Sequence, residues 1–145
     1  MLAKEIKYVD FNGKERTETF YFNISIPELI KWQVHEGYGL DQEITKLSKS
    51  EDLMKSIEIF QKLIDYSIGI KSEDGKRLIK NEGQVAKEFK ETNAYEVLYM
   101  ELGTNDKKAS EFINAIMPKL TEEQKKEIQQ KVEAQKTQQA NNISK

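Results

Sequence analysis

The sequence predicts a mainly α-helical α+β domain in which a small N-terminal β-hairpin precedes about five or six helices. Three observations support this fold class. Apolar and polar residues alternate over residues 4–24, around the turn dipeptide Asn12-Gly13. After residue 25, apolar residues recur at intervals of three and four, which is the period of helices. The chain has 145 residues, the length of one domain with one core.

The hairpin is the one strand pair that the sequence predicts. Ile6 and Tyr8 alternate with polar neighbours before the turn, and Phe20, Phe22 and Ile24 resume the alternation after it. An isolated hairpin is only marginally stable in water. Its aromatic face is therefore expected to pack on the helices or on a neighbouring chain.

The first helix is predicted to begin behind Ser25. Ser25 and Glu28 have the spacing of a capping box, in which each side chain accepts a hydrogen bond from the other residue's backbone N–H. Pro27 fits the first turn, where its missing N–H costs nothing. Gly37 is placed to end this helix, with residues 37–40 as the connection.

The second helix has the clearest pattern. It starts near Glu51, and its apolar positions form one stripe: Leu53, Met54, Ile57, Phe60, Leu63, Ile64 and Ile68. Gly69 is interpreted as its C-cap. A further short helix is predicted near residues 83–92, where Val85 and Phe89 lie one helical turn apart.

Two more helices are predicted to form a hairpin with a very short connection. Thr92 can cap the first, which Gly103 ends, and Thr104 can cap the second, which Pro118 stops. These elements give one globular domain over residues 1–118, with its helices in 26–118. The polar, Gln-rich residues 119–145 are predicted to be a C-terminal helix behind Thr121 or a disordered tail.

Residues 67–80, "SIGIKSEDGKRLIK", contain two glycines and a following lysine, so we tested them as a phosphate-binding loop. The spacing between Gly69 and Gly75 is one residue too long for the pattern G-x-x-x-x-G-K-[ST]. Arg77 stands where the magnesium-binding hydroxyl is required, and the preceding element is a predicted helix rather than a strand. The segment therefore does not predict a nucleotide site.

The same segment fails as a calcium-binding EF-hand loop. With Gly75 as the turn glycine, Ile70 would fall at the first ligand position and Asn81 at the position of the closing glutamate. The remaining interpretation is a turn between two helices, with Asp74-Gly75 as its tight part.

Composition excludes several classes of function. The chain is 37% hydrophobic and 33% charged with a net charge of −2, so no basic field favours nucleic acid. The absence of cysteine excludes disulfides and thiolate sites, and the single histidine, His35, excludes sites with two imidazoles. No segment has the roughly 18 apolar residues of a membrane span. We therefore predict a soluble intracellular protein without enzymatic activity, cofactor or metal, which binds neither nucleic acid nor membrane.

Four segments carry a resemblance to a known family: "FYFNISIPEL", "GIKSEDGKRLIKN", "EFKETNAYEVLYMEL" and "ASEFINAIMPK". Together they resemble the tail assembly chaperones of long-tailed, siphovirus-type bacteriophages of Gram-positive hosts. The family patterns S-E-D-G-K/R-R-x-I/F, F-x-x-T-x-A-Y and F-I/V-N-x-I-x-P fall on residues 72–79, 89–95 and 112–118. Ile70 and Leu78 fill places that are variably apolar or polar in the family, and the Gln-rich tail lies outside the resemblance.

The resemblance implies a helical, non-enzymatic protein of the host cell cytoplasm that is absent from the mature virion. It would bind the tape measure protein and keep it soluble and competent until tail tube subunits polymerise around it. The resemblance also implies a longer frameshifted form that could contact the tail tube protein. The alternative is another intracellular interaction or structural module without enzymatic activity.

A chaperone of this kind must bind apolar helices reversibly, which favours a helix-in-groove mode. The predicted partner-binding residues are Tyr99, Phe112, Ile116 and Met117, on the last helical hairpin. Met117 offers an adaptable contact. The exposed edge of the N-terminal hairpin could also pair with another copy of the chain.

Overall fold

The computed structural model describes residues 1–36 and 52–143. In this part of the chain, six α-helices accompany a four-stranded antiparallel sheet, so the predicted mainly helical α+β class is confirmed. The strands are β1 (Leu2–Val9), β2 (Glu15–Phe22), β3 (Ile68–Lys71) and β4 (Leu78–Ile79). The helices are α1 (Ile26–Glu36), α2 (Leu53–Ser67), α3 (Gln84–Lys90), α4 (Asn93–Gly103), α5 (Asp106–Ile116) and α6 (Glu122–Ile143).

The sheet has the order β1-β2-β3-β4, and its strands are of very unequal length. The predicted N-terminal hairpin is confirmed: β1 pairs with β2 along its whole length, from Leu2 opposite Phe22 to Val9 opposite Glu15. Gly13 in the turn has a φ of +79°, a conformation that glycine adopts without steric cost. Only two residues of β2, Tyr21 and Phe22, pair with β3.

One face of the hairpin packs on the helices and the other faces solvent. Ile6 and Phe22 are buried on the inner face, while Ala3, Glu5 and Lys7 are exposed on the outer face. The core beneath the sheet draws on every helix from α1 to α5; its largest fully buried side chains are Trp32, Phe22, Phe60, Ile24, Leu29, Leu63, Ile64, Ile68, Leu98, Leu102 and Ile113. The expected packing of the hairpin's aromatic face on the helices is therefore observed.

The capping box at the start of α1 is confirmed. The backbone N–H of Ser25 donates to Glu28 Oε1 at 2.9 Å, and the N–H of Glu28 donates to Ser25 Oγ at 3.3 Å. The predicted helix end at Gly37 and the connection over residues 37–40 lie outside the described residues.

The segment after α2 corrects the sequence prediction. The helix ends at Ser67, and Ile68–Lys71 continues as β3, so Gly69 is a strand residue and not a helix C-cap. The chain then turns and returns as β4, which pairs Ile70 with Ile79. The segment is therefore a β-hairpin rather than a turn between two helices, and the N-terminal hairpin is not the one strand pair.

The predicted tight turn inside this segment is observed. Gly75 has a φ of +74°, and Asp74 Oδ1 accepts hydrogen bonds from Ser72 Oγ at 2.7 Å and from the N–H of Lys76 at 3.0 Å. These hydrogen bonds, that of Ser72 first, lower the pKa of the Asp74 carboxyl. The polar groups of the turn are thus used to close the turn.

Position 69 requires glycine because β4 lies too close to leave room for a side chain. A Cβ built on Gly69 would lie 2.6 Å from Leu78 Cγ. We expect Gly69→Ala to lower the free energy of unfolding by about 1–3 kcal/mol in urea titrations, because β3 and β4 must separate. In the matched control Gly103→Ala, the nearest atoms lie at 3.9 Å in the ring of Tyr99, and stability should not fall. Equal stability of the two variants would contradict this packing.

The helical hairpin of α4 and α5 forms as predicted, but its caps differ. Thr92 occupies the N-cap position of α4, yet its hydroxyl donates backwards to the carbonyl of Phe89 at 2.7 Å. The N-cap of α5 is Asn105, whose side chain accepts from the N–H of Lys108 at 3.0 Å, so the prediction of Thr104 was wrong. The Thr104 hydroxyl instead donates to the carbonyl of Met100.

The C-terminal segment forms the helix α6, which begins with a capping box of Thr121 and Gln124. This helix is polar on nearly all of its described surface. Ile128 is half-buried, and Val132 is 5% exposed and lies against α1. The division into a globular domain over residues 1–118 and a separate tail stays a prediction.

Lys80 joins three parts of the fold at the end of β4. The three N–H groups of its Nζ point at three acceptor groups: the carbonyl of Asn23 at 2.7 Å, the carbonyl of Tyr66 at 2.6 Å, and the Glu28 carboxylate, whose two oxygens share one N–H at 2.7 and 2.6 Å. One ammonium group thus links the β2–α1 junction, the last turn of α2 and the second hairpin. Its side chain is largely shielded from water, so these bonds are stronger than surface ion pairs.

Candidate protein-binding surfaces

The four residues predicted to bind a partner lie on or next to α4 and α5, and the structure buries two of them. Phe112 and Ile116 belong to the core, and the ring of Phe112 lies 5.2 Å from that of Phe22. Tyr99 and Met117 are half-buried, with the ring of Tyr99 5.3 Å from that of Phe60. In this conformation, Phe112 and Ile116 hold the helices on the sheet.

An exposed apolar pair lies on α4. Val97 and Met100 are both exposed and, being three residues apart, lie on one face of this helix. The surface is convex, since it is the outside of one helix, and two large apolar side chains form it. It could contribute to a contact but does not enclose a partner side chain.

A groove with an apolar lining lies elsewhere, between β2, β3 and α3; we call it the sheet groove. Its volume is about 320 Å³, and its apolar lining comes from Phe20, Ile68, Ile70, Val85 and Phe89. Ile70 is 55% exposed although it belongs to a strand. Such a volume is at the lower end of the roughly 300–1,000 Å³ of ligand sites, so the groove can take a few apolar side chains.

The sheet groove exists because β2 and β3 diverge. The two strands pair only at Tyr21 opposite Gly69 and at Phe22 opposite Ile68. Beyond these pairs Phe20 and Ile70 are not paired, and both line the groove together with Val85 and Phe89 of α3. The rings of Phe20 and Phe89, whose centroids are 4.9 Å apart, fix α3 to the hairpin.

The rim of the sheet groove is polar and partly acidic. It carries Tyr8, Glu18, Glu88 and Thr92. The Tyr8 hydroxyl donates to Glu18 Oε1, and this hydrogen bond is the main reason why the pKa of Tyr8 is raised. The Gln84 side chain donates to Glu88 Oε1 at 3.2 Å. An apolar slot with carboxylates at its mouth suits an apolar segment flanked by basic residues.

The sheet groove could not be predicted from the amino-acid sequence for two reasons. Its lining comes from residues far apart in the chain, and its position depends on β3, which was predicted as the end of a helix. A local signal was nevertheless present. Ile70 is an apolar residue two positions after the predicted end of a helix stripe, inside a segment interpreted as a polar turn.

A second groove, of about 340 Å³, lies where α6 rests on α1. Its lining includes Ile30, Val34 and His35 from α1 and Val132 from α6. The histidine noted in the sequence is exposed at the edge of this groove. The face of α1 thus accommodates a helix through a few apolar contacts.

Neither a cluster of metal-ligating side chains nor a membrane-spanning helix is found among the described residues. Within residues 1–36 and 52–143, no group of three or more His, Asp or Glu side chains could hold a metal ion. No helix in the same ranges is long and apolar enough to cross a bilayer. The expectation of a non-enzymatic protein stays a prediction, and the surfaces described here favour contacts with another polypeptide.

Comparison with known proteins gives one family. A comparison with curated proteins and with solved structures found no match. A family model described as phage tail assembly chaperone matches residues 1–145. The match spans all four segments that carried the resemblance, together with the polar C-terminal helix. The chain therefore belongs to the family of phage tail assembly chaperones.

Proposed function

We propose that this chain binds the tape measure protein during phage tail assembly and keeps it soluble until the tail tube forms around it. The observation that carries the proposal is the family match over residues 1–145. A chaperone of tail assembly requires a tail protein as its client. A long, helix-rich chain with exposed apolar stripes is the client that most needs protection from aggregation.

We place the client contact at the sheet groove. Its lining is apolar, and Ile70 is accessible without any rearrangement of the core. A helix that inserts a few side chains at one-turn spacing would bury them against Phe20, Val85 and Phe89. The small volume favours a weak contact at any one place, which agrees with a client that must later be released.

The predicted residues have two different roles in this proposal. Phe112 and Ile116 keep the fold, because both are buried. Tyr99 and Met117 are half-buried, and Met100 is exposed on α4, so the proposed second contact for a long client is the α4 face that carries Met100. A client with many helical segments can be held at two places at once, which raises the overall affinity without any single tight contact.

Further parts of the proposal follow from the same assignment. The chain acts in the host cell cytoplasm, in a long-tailed phage of the siphovirus type that infects a Gram-positive host, and it leaves before the virion matures. A longer, frameshifted form would bring the tail tube protein to the same client. The amino-acid sequence supports neither a nucleic-acid nor a membrane partner.

The client contact can be tested with single substitutions at exposed apolar residues. We expect Ile70→Glu to weaken binding of the same phage's tape measure protein by about tenfold to a hundredfold, because the carboxylate would be buried without a partner. The measurement is co-purification from cells that express both chains, followed by titration of the purified pair. Met100→Glu, on α4, tests the second surface and should weaken binding less.

The matched control is Leu53→Glu. Leu53 is an exposed apolar residue at the first turn of α2, where the helix dipole tolerates an acid. This variant should bind as the wild type does. If Ile70→Glu keeps full affinity while Met100→Glu loses it, the client lies on α4 and not in the sheet groove. If no variant changes binding and the wild type itself does not bind, the proposed function is wrong.

A further inference from the structure

The outer edge of β1 presents backbone groups that no described strand uses. β1 is the first strand of the sheet, and within residues 1–36 and 52–143 only β2 pairs with it. The backbone N–H of Asp10 donates to the carbonyl of Lys14 across the hairpin. In an antiparallel ladder, hydrogen-bonded and non-hydrogen-bonded pairs alternate, so this bond fixes which residues of β1 bond to β2. The even-numbered residues of β1 therefore bond to β2. The N–H and C=O groups of Ala3, Glu5 and Lys7 point away from the sheet.

A contact with α4 supports this assignment of the edge. The Asn93 side-chain amide donates to the carbonyl of Val9 at 2.8 Å. Val9 is odd-numbered, so its carbonyl lies on the outer edge, as the alternation requires. The rest of the edge, from Ala3 to Lys7, belongs to a strand of eight residues, in which the side chains of Ala3, Glu5 and Lys7 are exposed.

The exposed side chains along this edge are complementary to themselves in one antiparallel register. When Glu5 of one copy lies opposite Lys7 of a second copy, the symmetric pair of Lys7 and Glu5 forms as well. Ala3 then lies opposite Val9, whose carbonyl would have to accept from the N–H of Ala3 of the second copy with its other lone pair, beside the bond from Asn93. Met1 lies close to Phe11 in the turn. Met1, Val9 and Phe11 are exposed in the single chain, and Phe11 is 82% exposed.

The two registers shifted by two residues are unfavourable. One would place Glu5 opposite Glu5 of the second copy and Ala3 opposite Lys7, and the other would place Lys7 opposite Lys7 and Glu5 opposite Val9. Each has like charges at its centre and no ion pair. A shift by one residue would put the buried face of one sheet beside the exposed face of the other. In the described chain Glu5 and Lys7 have no charged partner, and their neighbours on β2 are Thr19 and Thr17.

We propose that two copies of this chain pair through β1, antiparallel, with Glu5 of each copy opposite Lys7 of the other. The pairing joins the two four-stranded sheets into one continuous sheet and covers the long edge. Glu5 and Lys7 are opposite across the two-fold axis, and this charge complementarity identifies a second copy, rather than a client strand, as the occupant. The interface leaves the sheet groove open, so this inference stands apart from the proposed client site.

Charge exchange across the axis tests the register. The dimer is measured by sedimentation equilibrium at several concentrations in low salt. Glu5→Lys and Lys7→Glu should each weaken dimerisation by about threefold to tenfold, because each places like charges opposite each other. The double variant Glu5→Lys/Lys7→Glu should return to the wild-type dissociation constant. At protein concentrations far below the dissociation constant, where all chains are monomeric, the wild type and the three variants should unfold at the same urea concentration, since both side chains are exposed.

Disulfide trapping gives an independent readout, because the natural chain contains no cysteine. The double variant Ala3→Cys/Val9→Cys should form a covalent dimer on mild oxidation, since these positions are opposite in the proposed register. The control Glu5→Cys should not form a covalent dimer, since position 5 of one copy lies opposite position 7 of the other and the two cysteines are two residues apart along the strands. The proposal would be overturned by any of three results: a covalent dimer of Glu5→Cys alone, a wild type that stays monomeric at all concentrations, or a double charge variant whose dimerisation stays weaker than that of the wild type.

Discussion

Phe112→Ala is expected to lower the free energy of unfolding by about 3–5 kcal/mol, the range for removing a buried aromatic ring. Phe112 is 4% exposed and packs edge to face on Phe22, which joins α5 to the second strand of the hairpin. The substitution leaves a cavity between the sheet and α5. Urea denaturation followed by circular dichroism measures the loss, and the half-buried Met117→Ala is the control, with a loss of about 1 kcal/mol.

This result decides how a binding assay on Phe112 must be interpreted. A loss of that size approaches the total stability of many domains, so Phe112→Ala would lose client binding through unfolding alone. If Phe112→Ala instead keeps wild-type stability and loses binding, Phe112 contacts the partner directly. The fold described here would then be wrong at α5.

Lys80→Met is expected to lower the free energy of unfolding by about 2–4 kcal/mol. The substitution keeps most of the side-chain volume but removes the ammonium group from Glu28 and from two backbone carbonyls, so that Glu28 keeps the bond from the Ser25 N–H but loses its cation. The comparison is Lys108→Met, which removes an exposed ion pair with Glu101 at 3.6 Å and should cost less than about 1 kcal/mol. Similar losses in the two variants would contradict the linking role of Lys80.

The Lys80 contact also predicts a pH dependence. Burial raises the pKa of the Glu28 carboxyl, but the bonds from Lys80 and Ser25 outweigh it and hold the pKa below its ordinary value of 4.5. A carboxyl with a lowered pKa stabilises the fold above its unfolded-state pKa and loses this contribution as the pH falls through the folded-state pKa. The stability gap between wild type and Lys80→Met should therefore narrow below about pH 4.5 without closing, since the bonds to the carbonyls remain.

Local signals in the sequence were sufficient for much of the fold. The turn at Asn12-Gly13 and the capping box at Ser25 depend on adjacent residues, and both are found in the structure. β3 was missed because its first residue, Ile68, continues the apolar spacing of α2, and Gly69 is a plausible helix cap. The choice between helix end and strand depends on pairing with β2, which is distant in the chain.

The candidate site was harder to predict than the fold. Periodicity identified Phe112 and Ile116 as apolar but could not separate core from surface, because both give the same spacing. The structure shows that both are core residues, because the sheet covers this face of α5. The sheet groove requires Phe20, Ile70 and Phe89 to converge from three elements, and no local pattern records such a convergence.

The central claim, that this chain keeps a tape measure protein soluble by binding it, is tested most directly by the soluble fraction of that protein. The tape measure protein of the same phage is expressed alone, with the wild-type chain, and with Ile70→Glu. The proposed function predicts aggregation alone, a soluble complex that co-elutes with the wild type, and a clear loss of soluble complex with Ile70→Glu. A tape measure protein that is equally soluble without the chain, or that never co-elutes with it, would contradict the claim.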